Sequence, residues 1–482
     1  MGLAFVPVYI HYLGMESYAL IGVFTSLQAW LVLLDMGLTP TLNREMARFM
    51  GGEHDAQGIC DLLQTLGLIY VVIAVVIAAS VILIAPWLAN NWLQVEQISV
   101  KTVSQSVALM GIVVALRWVA GLYRGAIMGL QRQIWLNGCN IVFATLRGAG
   151  VVIVLKWYSP TISAFFIYQG IISAIEVLML KIKIKGMLPA PPQKARFNSV
   201  ILKKIWHFAA GMMLINLLAI LLTQIDKLLL SKMLTLTEFG YYVLAGTLAN
   251  ALYLFVTPVC NAALPRMTEL VSLGDKQALI DIYHNMSQLL AVLVIPVALV
   301  ISLFSEELLL IWLRDAKIAA AVAPLLSILV IGSMLNGLMN MPYMLQLANG
   351  WTRLTVGINT VSIVILLPAI YFGAQYYGAI AAAMIWVVLN TGYILIGVPL
   401  MHRILLPAEK TRWYKHSVCC PLAVVLTTVF LLRFFIPKVF LEYPFETFVT
   451  LVCVFLLGLF VSIVSTPFGR SYIRGLRTRF IL

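Results

Sequence analysis

Long uninterrupted apolar runs, such as Leu66 to Ile84 and Leu289 to Phe304, alternate along the chain with short polar or basic breaks. In hydrocarbon only helices and closed barrels satisfy their backbone groups. Barrel strands would alternate apolar and polar positions over about 10 residues, and these runs do not alternate. They predict membrane-spanning helices, each needing about 20 residues to cross about 30 Å of hydrocarbon. Read through a window of about 19 residues, the pattern predicts spans at 1–13, 18–39, 62–89, 106–124, 138–156 and 161–181. A basic, proline-containing stretch follows, and then come spans at 206–231, 241–263, 286–312, 321–347, 354–373 and 379–401, with a last pair at 417–437 and 447–466. The expected fold is an all-α integral membrane protein of about 14 transmembrane helices. Its N-lobe covers 1–181 (spans 1–6) and a basic cytoplasmic linker covers 182–205. The C-lobe covers 206–401 (spans 7–12), and 402–482 holds spans 13 and 14 with a basic cytoplasmic tail.

Composition removes the soluble alternatives. Of 482 residues 62% are hydrophobic and 11% charged, less than half the charged share of an ordinary globular protein, and the mean hydropathy is +0.99. The net charge of +13 would suit a nucleic-acid partner if it were clustered on a soluble surface, but it is distributed by topology. One alternate set of connections, with the C-terminal tail, carries 22 Lys and Arg; the opposite set carries six, Lys101, Lys156, Lys232, Arg314, Lys317 and Lys438. By the positive-inside rule both termini face the cytoplasm. No nucleic-acid partner is expected.

The first span is short, because Met1 to Leu13 makes only about 20 Å of helix at 1.5 Å per residue. It is either a stub or the end of a helix that starts upstream. No basic region precedes it and no small-residue cleavage site follows, which argues against a signal peptide. The six cysteines fall in spans or on the cytoplasmic side, so no disulfide framework is expected.

The halves also resemble each other. A shift of 222 residues places Glu16 on Glu238, Leu42 on Leu264, Arg44 on Arg266 and Gly52 on Gly274, and a shift of 215 places Gln131 on Gln346. Such internal similarity is common among membrane carriers.

The segments YIHYLGMESYALIGV at 9–23 and LDMGLTPTLNRE at 34–45 resemble the opening of the bacterial oligosaccharide (O-antigen/polysaccharide) flippases of the multidrug/oligosaccharidyl-lipid/polysaccharide exporter superfamily. GLQR at 129–132, QIDK at 224–227 and EFGYY at 238–242 are similar to later stretches of that family. The resemblance implies two six-helix lobes around a central cavity and alternating access. It also implies translocation of an undecaprenyl-pyrophosphate-linked oligosaccharide from the cytoplasmic to the periplasmic leaflet of the bacterial inner membrane, for surface polysaccharide. Partners would be the lipid-linked oligosaccharide, membrane lipids, and a polysaccharide polymerase and chain-length regulator. Related proteins begin upstream with a complete first span.

A charge at bilayer depth costs about 2.5–3.5 kcal/mol on insertion scales, so each needs a partner or a wet cavity. Seven candidates within predicted spans are Asp35, Arg117, Arg147, Glu176, Asp226, Lys227 and Arg433. Arg147 is near mid-depth, where its planar guanidinium either binds a pyrophosphate or pairs with Glu176 or Asp226. Arg117 and Arg124 are seven residues apart, two turns along one helix face, and make a cationic stripe unless Arg117 reaches the interface beside Trp118. Glu176 is expected to pair with Lys181 or an arginine of its lobe, and Asp35 with Arg44 or Arg48. Asp226 and Lys227 point about 100° apart on a helix and should not face each other. Lys227 is a cavity candidate and Asp226 a candidate proton-coupling group. Arg433 is expected to snorkel to an outer interface.

No Walker motif, zinc signature, nucleophile elbow or EF-hand loop is present, so neither a metal nor a cofactor is expected. Three alternatives stand beside the oligosaccharide flippase. A multidrug/cation antiporter and a lipid II flippase belong to the same superfamily, and a membrane glycosyl polymerase or ligase would be an enzyme. The longest outer connection, about 90–105, offers only Glu96 and Lys101 as catalytic groups, which disfavours the enzyme.

Overall fold

The computed structural model describes residues 2–31, 35, 38–52, 55–189, 192–194, 196–197, 217–218, 220–351, 353–437 and 443–480. Among these the fold is helical, with a single isolated bridge, Gln94 to Thr235. The chain forms two compact units, Met1–Gly240 and Tyr241–Leu482.

The first unit holds α1 (Gly2–Leu13), α2 (Met15–Leu31), α3 (Leu38–Met50), α4 (Ala56–Trp87), α5 (Val100–Gly129), α6 (Gln133–Trp157), α7 (Ile162–Met187) and α8 (220–233). Its core lies where α3, α4, α5 and α7 meet, around Leu42, Met46, Leu66, Tyr70, Leu122 and Ile127. The second unit holds α9 (Leu236–Leu273), which begins just ahead of the boundary, then α10 (Lys276–Leu303), α11 (Ser305–Leu313), α12 (Ala316–Ala348), α13 (Arg353–Leu405), α14 (Pro407–Phe435), α15 (Pro444–Ser465) and α16 (Pro467–Phe480). There α10 is central, packed by α9, α12, α14 and α15.

Polar residues at the breaks start the helices. Asp55, Ser99, Thr161, Asp275 and Asp315 each accept a backbone N–H of the following first turn at 3.0–3.3 Å, which satisfies donors that a helix start leaves open. Ten helices among the described residues are long and apolar enough to cross a membrane. Residue Gly378, with φ 58° and ψ −142°, divides one of these, α13, into the two spans expected at 354–373 and 379–401. With α1, and with α2 at 17 residues, thirteen of the expected spans have described helices; of the span expected at 206–231, residues 206–216 and 219 lie outside the described residues. The part of the basic linker at 198–205 lies outside the described residues.

Boundaries differ from expectation where helices are amphipathic. The described part of the second span is Met15–Leu31 and α3 begins at Leu38; Asp35, expected near the end of that span, lies between them. Helix α3 carries Arg44 and Arg48 on a polar face, and α16 occupies the basic tail; averaging hydropathy over both faces hides such helices. The span expected at 286–312 is two helices, broken at Phe304.

Helix corners repeat. After α3 and after α9 the chain turns through left-handed glycines, Gly52 (φ 84°) and Gly274 (φ 70°), a conformation that costs glycine little. After α5 and α12 it turns through Gln131 (φ 58°) and Gly350 (φ 64°). Gln131 therefore corresponds to Gly350 and not to Gln346, one helical turn away from the position the sequence shift suggested.

Candidate anion-binding site

Helices α5 and α7 run side by side in the same direction, as their matched contacts show. Arg117 donates to Gln169 at 2.8 Å, and Arg124, seven residues on, donates to Glu176, seven residues beyond Gln169. A heptad is two turns, so two arginines on one face meet a glutamine and a glutamate on the other in register. Arg117 also donates to Gln28 of α2 at 3.1 Å and lies 5.0 Å over the Phe24 ring.

Arg147 enters from α6, which widens into a π turn over Leu146–Gly150. Such turns are rare and often mark functional positions. Side chains take up carbonyls along it: Tyr168 donates to Leu146 at 3.0 Å, Gln169 to Arg147 at 3.2 Å and Tyr9 to Gly148 at 3.2 Å. A Cβ at Gly148 would overlap the Phe5 ring and one at Gly150 the Tyr168 hydroxyl, so the close approach needs both glycines. Held this way, Arg147 donates to the second oxygen of Glu176.

Glu176 is fully buried, while Arg147 and Arg124 are 19% and 34% exposed. Arg124 and Arg147 thus share one carboxylate while Arg117 of the same cluster bonds two glutamines, a local charge of about +2 when all are ionised. Each guanidinium carries five N–H donors, yet the three make four hydrogen bonds to side chains. The buried Nε of all three lacks an acceptor. Chemically this is a partly accessible, under-satisfied cationic cluster, and guanidiniums are donors that can bind oxyanions bidentately.

The remaining predicted residues lie apart from this cluster or bond differently. Asp35 does not pair with Arg44 or Arg48. It accepts from the Thr39 backbone N–H at 3.3 Å, the Thr39 hydroxyl at 2.6 Å and the Tyr70 hydroxyl, while Arg44 and Arg48 reach Glu45. Tyr70 stacks on Trp118, which places Trp118 inside the unit and not at an interface. Asp226 and Lys227, expected not to face each other, come within 3.6 Å because the long lysine stem curls back, and Lys227 also donates to the Thr223 carbonyl at 3.0 Å. Lys227 lines a separate cavity of about 230 Å³ with Trp30, Trp87 and Trp92. Arg433 does not simply snorkel: it pairs with Glu307 and lies over Phe304. Another cavity, about 640 Å³ between the halves of α13, is apolar with Arg353 at one end and holds none of the predicted residues. No group of three or more His, Cys, Asp or Glu suited to a metal occurs among the described residues, and all six cysteines are free.

Gln28 and Gln169 are uncharged, so the cost of an ionised group at depth does not single them out in the sequence. The available signal was spacing: Gln169 precedes Glu176 by the seven residues that separate Arg117 from Arg124.

So many helices long and apolar enough to cross a membrane define a multi-pass membrane protein. The chain belongs to the family described as polysaccharide biosynthesis protein, which matches residues 1–271, more than half of its length. The MatE family also matches, over 212–372. A Shigella flexneri protein named "Putative O-antigen transporter" is 21% identical over 416 residues, covering 84% of this chain and 91% of that protein. The fold is similar to that of lipid II flippase MurJ in an inward closed conformation (TM-score 0.63, 12% identity, 94% of this chain and 93% of that one). It is also similar to a multidrug resistance MATE family transporter of the MOP superfamily in an inward-facing conformation (TM-score 0.68, 13% identity, 84% and 94%). These relatives are transporters and flippases, not enzymes, so the polymerase or ligase reading gives way.

Proposed function

We propose that this protein flips an undecaprenyl-pyrophosphate-linked oligosaccharide from the cytoplasmic to the periplasmic leaflet by alternating access, supplying surface polysaccharide synthesis beside a polymerase and a chain-length regulator. The observation that carries this reading is the cluster of Arg117, Arg124 and Arg147 with a single carboxylate, Glu176, which the last two share. Its excess positive charge and open donors suit a pyrophosphate, while a prenyl tail stays in lipid. A cation antiporter would need an excess of acidic groups at depth, and this cluster has the opposite sign. Asp226 remains our candidate coupling group.

The test is quantification of surface polysaccharide at matched protein level. Arg147→Ala loses charge-assisted hydrogen bonds worth about 1.5–3 kcal/mol, which is about 10- to 100-fold in binding, and is expected to abolish the polymer. Arg147→Lys keeps the charge without the planar fork and restores it in part. Normal polymer in Arg147→Ala would sink the assignment. Rescue of a strain depleted of its essential lipid II flippase would point instead to lipid II, which presents the same pyrophosphate.

A further inference from the structure

The corner residues that match between the two units, Gln131 and Gly350, stand 219 residues apart. At that spacing Arg117 of α5 corresponds to Asn336 of α12, and Arg124 to Tyr343. Their partners correspond as well. Gln169, which accepts from Arg117, precedes by 221 residues Asn390, which accepts from Asn336 at 2.7 Å. Gln28, the other acceptor, precedes by 222 residues Asn250, at the tight turn Asn250–Leu252 within α9, and 222 is also the spacing from Gly52 to Gly274. Arg117 and Arg124 of the first unit thus have counterparts in the second, Asn336 and Tyr343, in which an amide and a phenol replace the charges.

The counterpart is a connected polar network. Tyr253 donates to Asn336 Oδ1 at 2.6 Å, Asn336 donates to Asn390, and fully buried Asn390 donates to the Trp386 carbonyl at 2.7 Å. Gly332, one turn before Asn336, has no room for a Cβ beside the Trp386 ring, so α12 and the second half of α13 approach closely where the network needs them. From this anchored base two stripes extend. On α12, Asn340 and Tyr343 follow Asn336 at helical spacing and are half-exposed; on α9, Asn250, Thr257 and Asn261 are exposed around Tyr253. Asn340 makes one side-chain hydrogen bond, to the Asn336 carbonyl at 2.9 Å. Uncharged amides held open at bilayer depth are costly against hydrocarbon and mark a wet, ligand-accessible face.

We infer that this face of the second unit binds the hydroxyl groups of the carbohydrate, as the arginine cluster of the first unit binds the phosphates. Each asparagine offers two N–H donors beside a carbonyl acceptor, a match for adjacent sugar hydroxyls that both donate and accept. A neutral face has no preference for phosphate, so the chemistry of this face suits the carbohydrate part of the carrier. The inference rests on the proposed lipid-linked saccharide substrate.

The experiment measures binding to the purified full chain in detergent with two probes: the undecaprenyl-pyrophosphate-linked saccharides extracted from the source strain, and bare undecaprenyl pyrophosphate. The wild-type chain is expected to hold the saccharide-bearing carrier at least about tenfold tighter, the scale of one or two net hydrogen bonds. Asn250→Leu/Asn340→Leu spares the buried network and is expected to abolish that preference while binding bare carrier as before, with an unchanged melting temperature. Arg117→Gln is expected to weaken both probes alike. A preference retained in the double variant, or no preference in the wild type, overturns the inference. Failure of the wild type to bind either probe overturns the proposed substrate, and the inference with it.

Discussion

Glu176 compensates two guanidiniums at once, Arg124 and Arg147, and each of its oxygens is held by a different helix. Removing one partner from a buried ion pair costs about 3–5 kcal/mol, because the remaining charge is left uncompensated. Glu176→Gln is therefore expected to lower the thermal unfolding temperature of the solubilised protein sharply. Arg147→Met/Glu176→Met keeps the local charge at about +2, so it should recover more than half of that loss without restoring transport. Equal unfolding temperatures for wild type and Glu176→Gln would contradict the shared-carboxylate geometry. The sequence showed that Arg147 was deep and offered Glu176 or Asp226 as its partner. The choice between them depends on how helices are rotated about their axes, which apolar composition leaves open when every face is hydrophobic. The same freedom explains why Asp35 bonds Thr39 and Tyr70 instead of an arginine, and why Arg433 meets Glu307.

At the scale of elements, α6 departs from a regular helix where function is proposed. Its π turn aims Arg147, and Gly148 admits Phe5 of α1 against it. Gly148→Ala forces Phe5 aside, and overpacking of this kind costs about 1–3 kcal/mol. Gly121 on α5 has open space around it, so Gly121→Ala should be neutral or stabilising by up to about 1 kcal/mol through helix propensity. Unfolding temperatures of the two variants should thus move in opposite directions or differ clearly; a match would mean that α1 does not pack on the turn. The apolar spans themselves were legible because each is a long single-character run. The π turn was not, since one extra residue per turn changes no composition. Helix α3 was missed for the complementary reason: its buried Leu42 and Met46 alternate with a charged face that a hydropathy window averages away.

For the whole molecule, the uneven division of basic residues predicts which ends of the helices face the cytoplasm. Twenty-two Lys and Arg lie on one set of connections and tail against six on the other, a bias that strict alternation of the spans would erase if one were missing or invented. We expect the corner at Gly274 to be cytoplasmic and the connection between α4 and α5 to be periplasmic. Exposed Lys276 and Gln97 report on the two sides. With the six native cysteines replaced by alanine, Gln97→Cys should react with a membrane-impermeant maleimide in intact spheroplasts. Lys276→Cys should react only after permeabilisation. Reversed labelling would invert the orientation, and with it the leaflet from which the arginine cluster is expected to load its substrate; labelling of both from outside would break the alternation on which the span count rests.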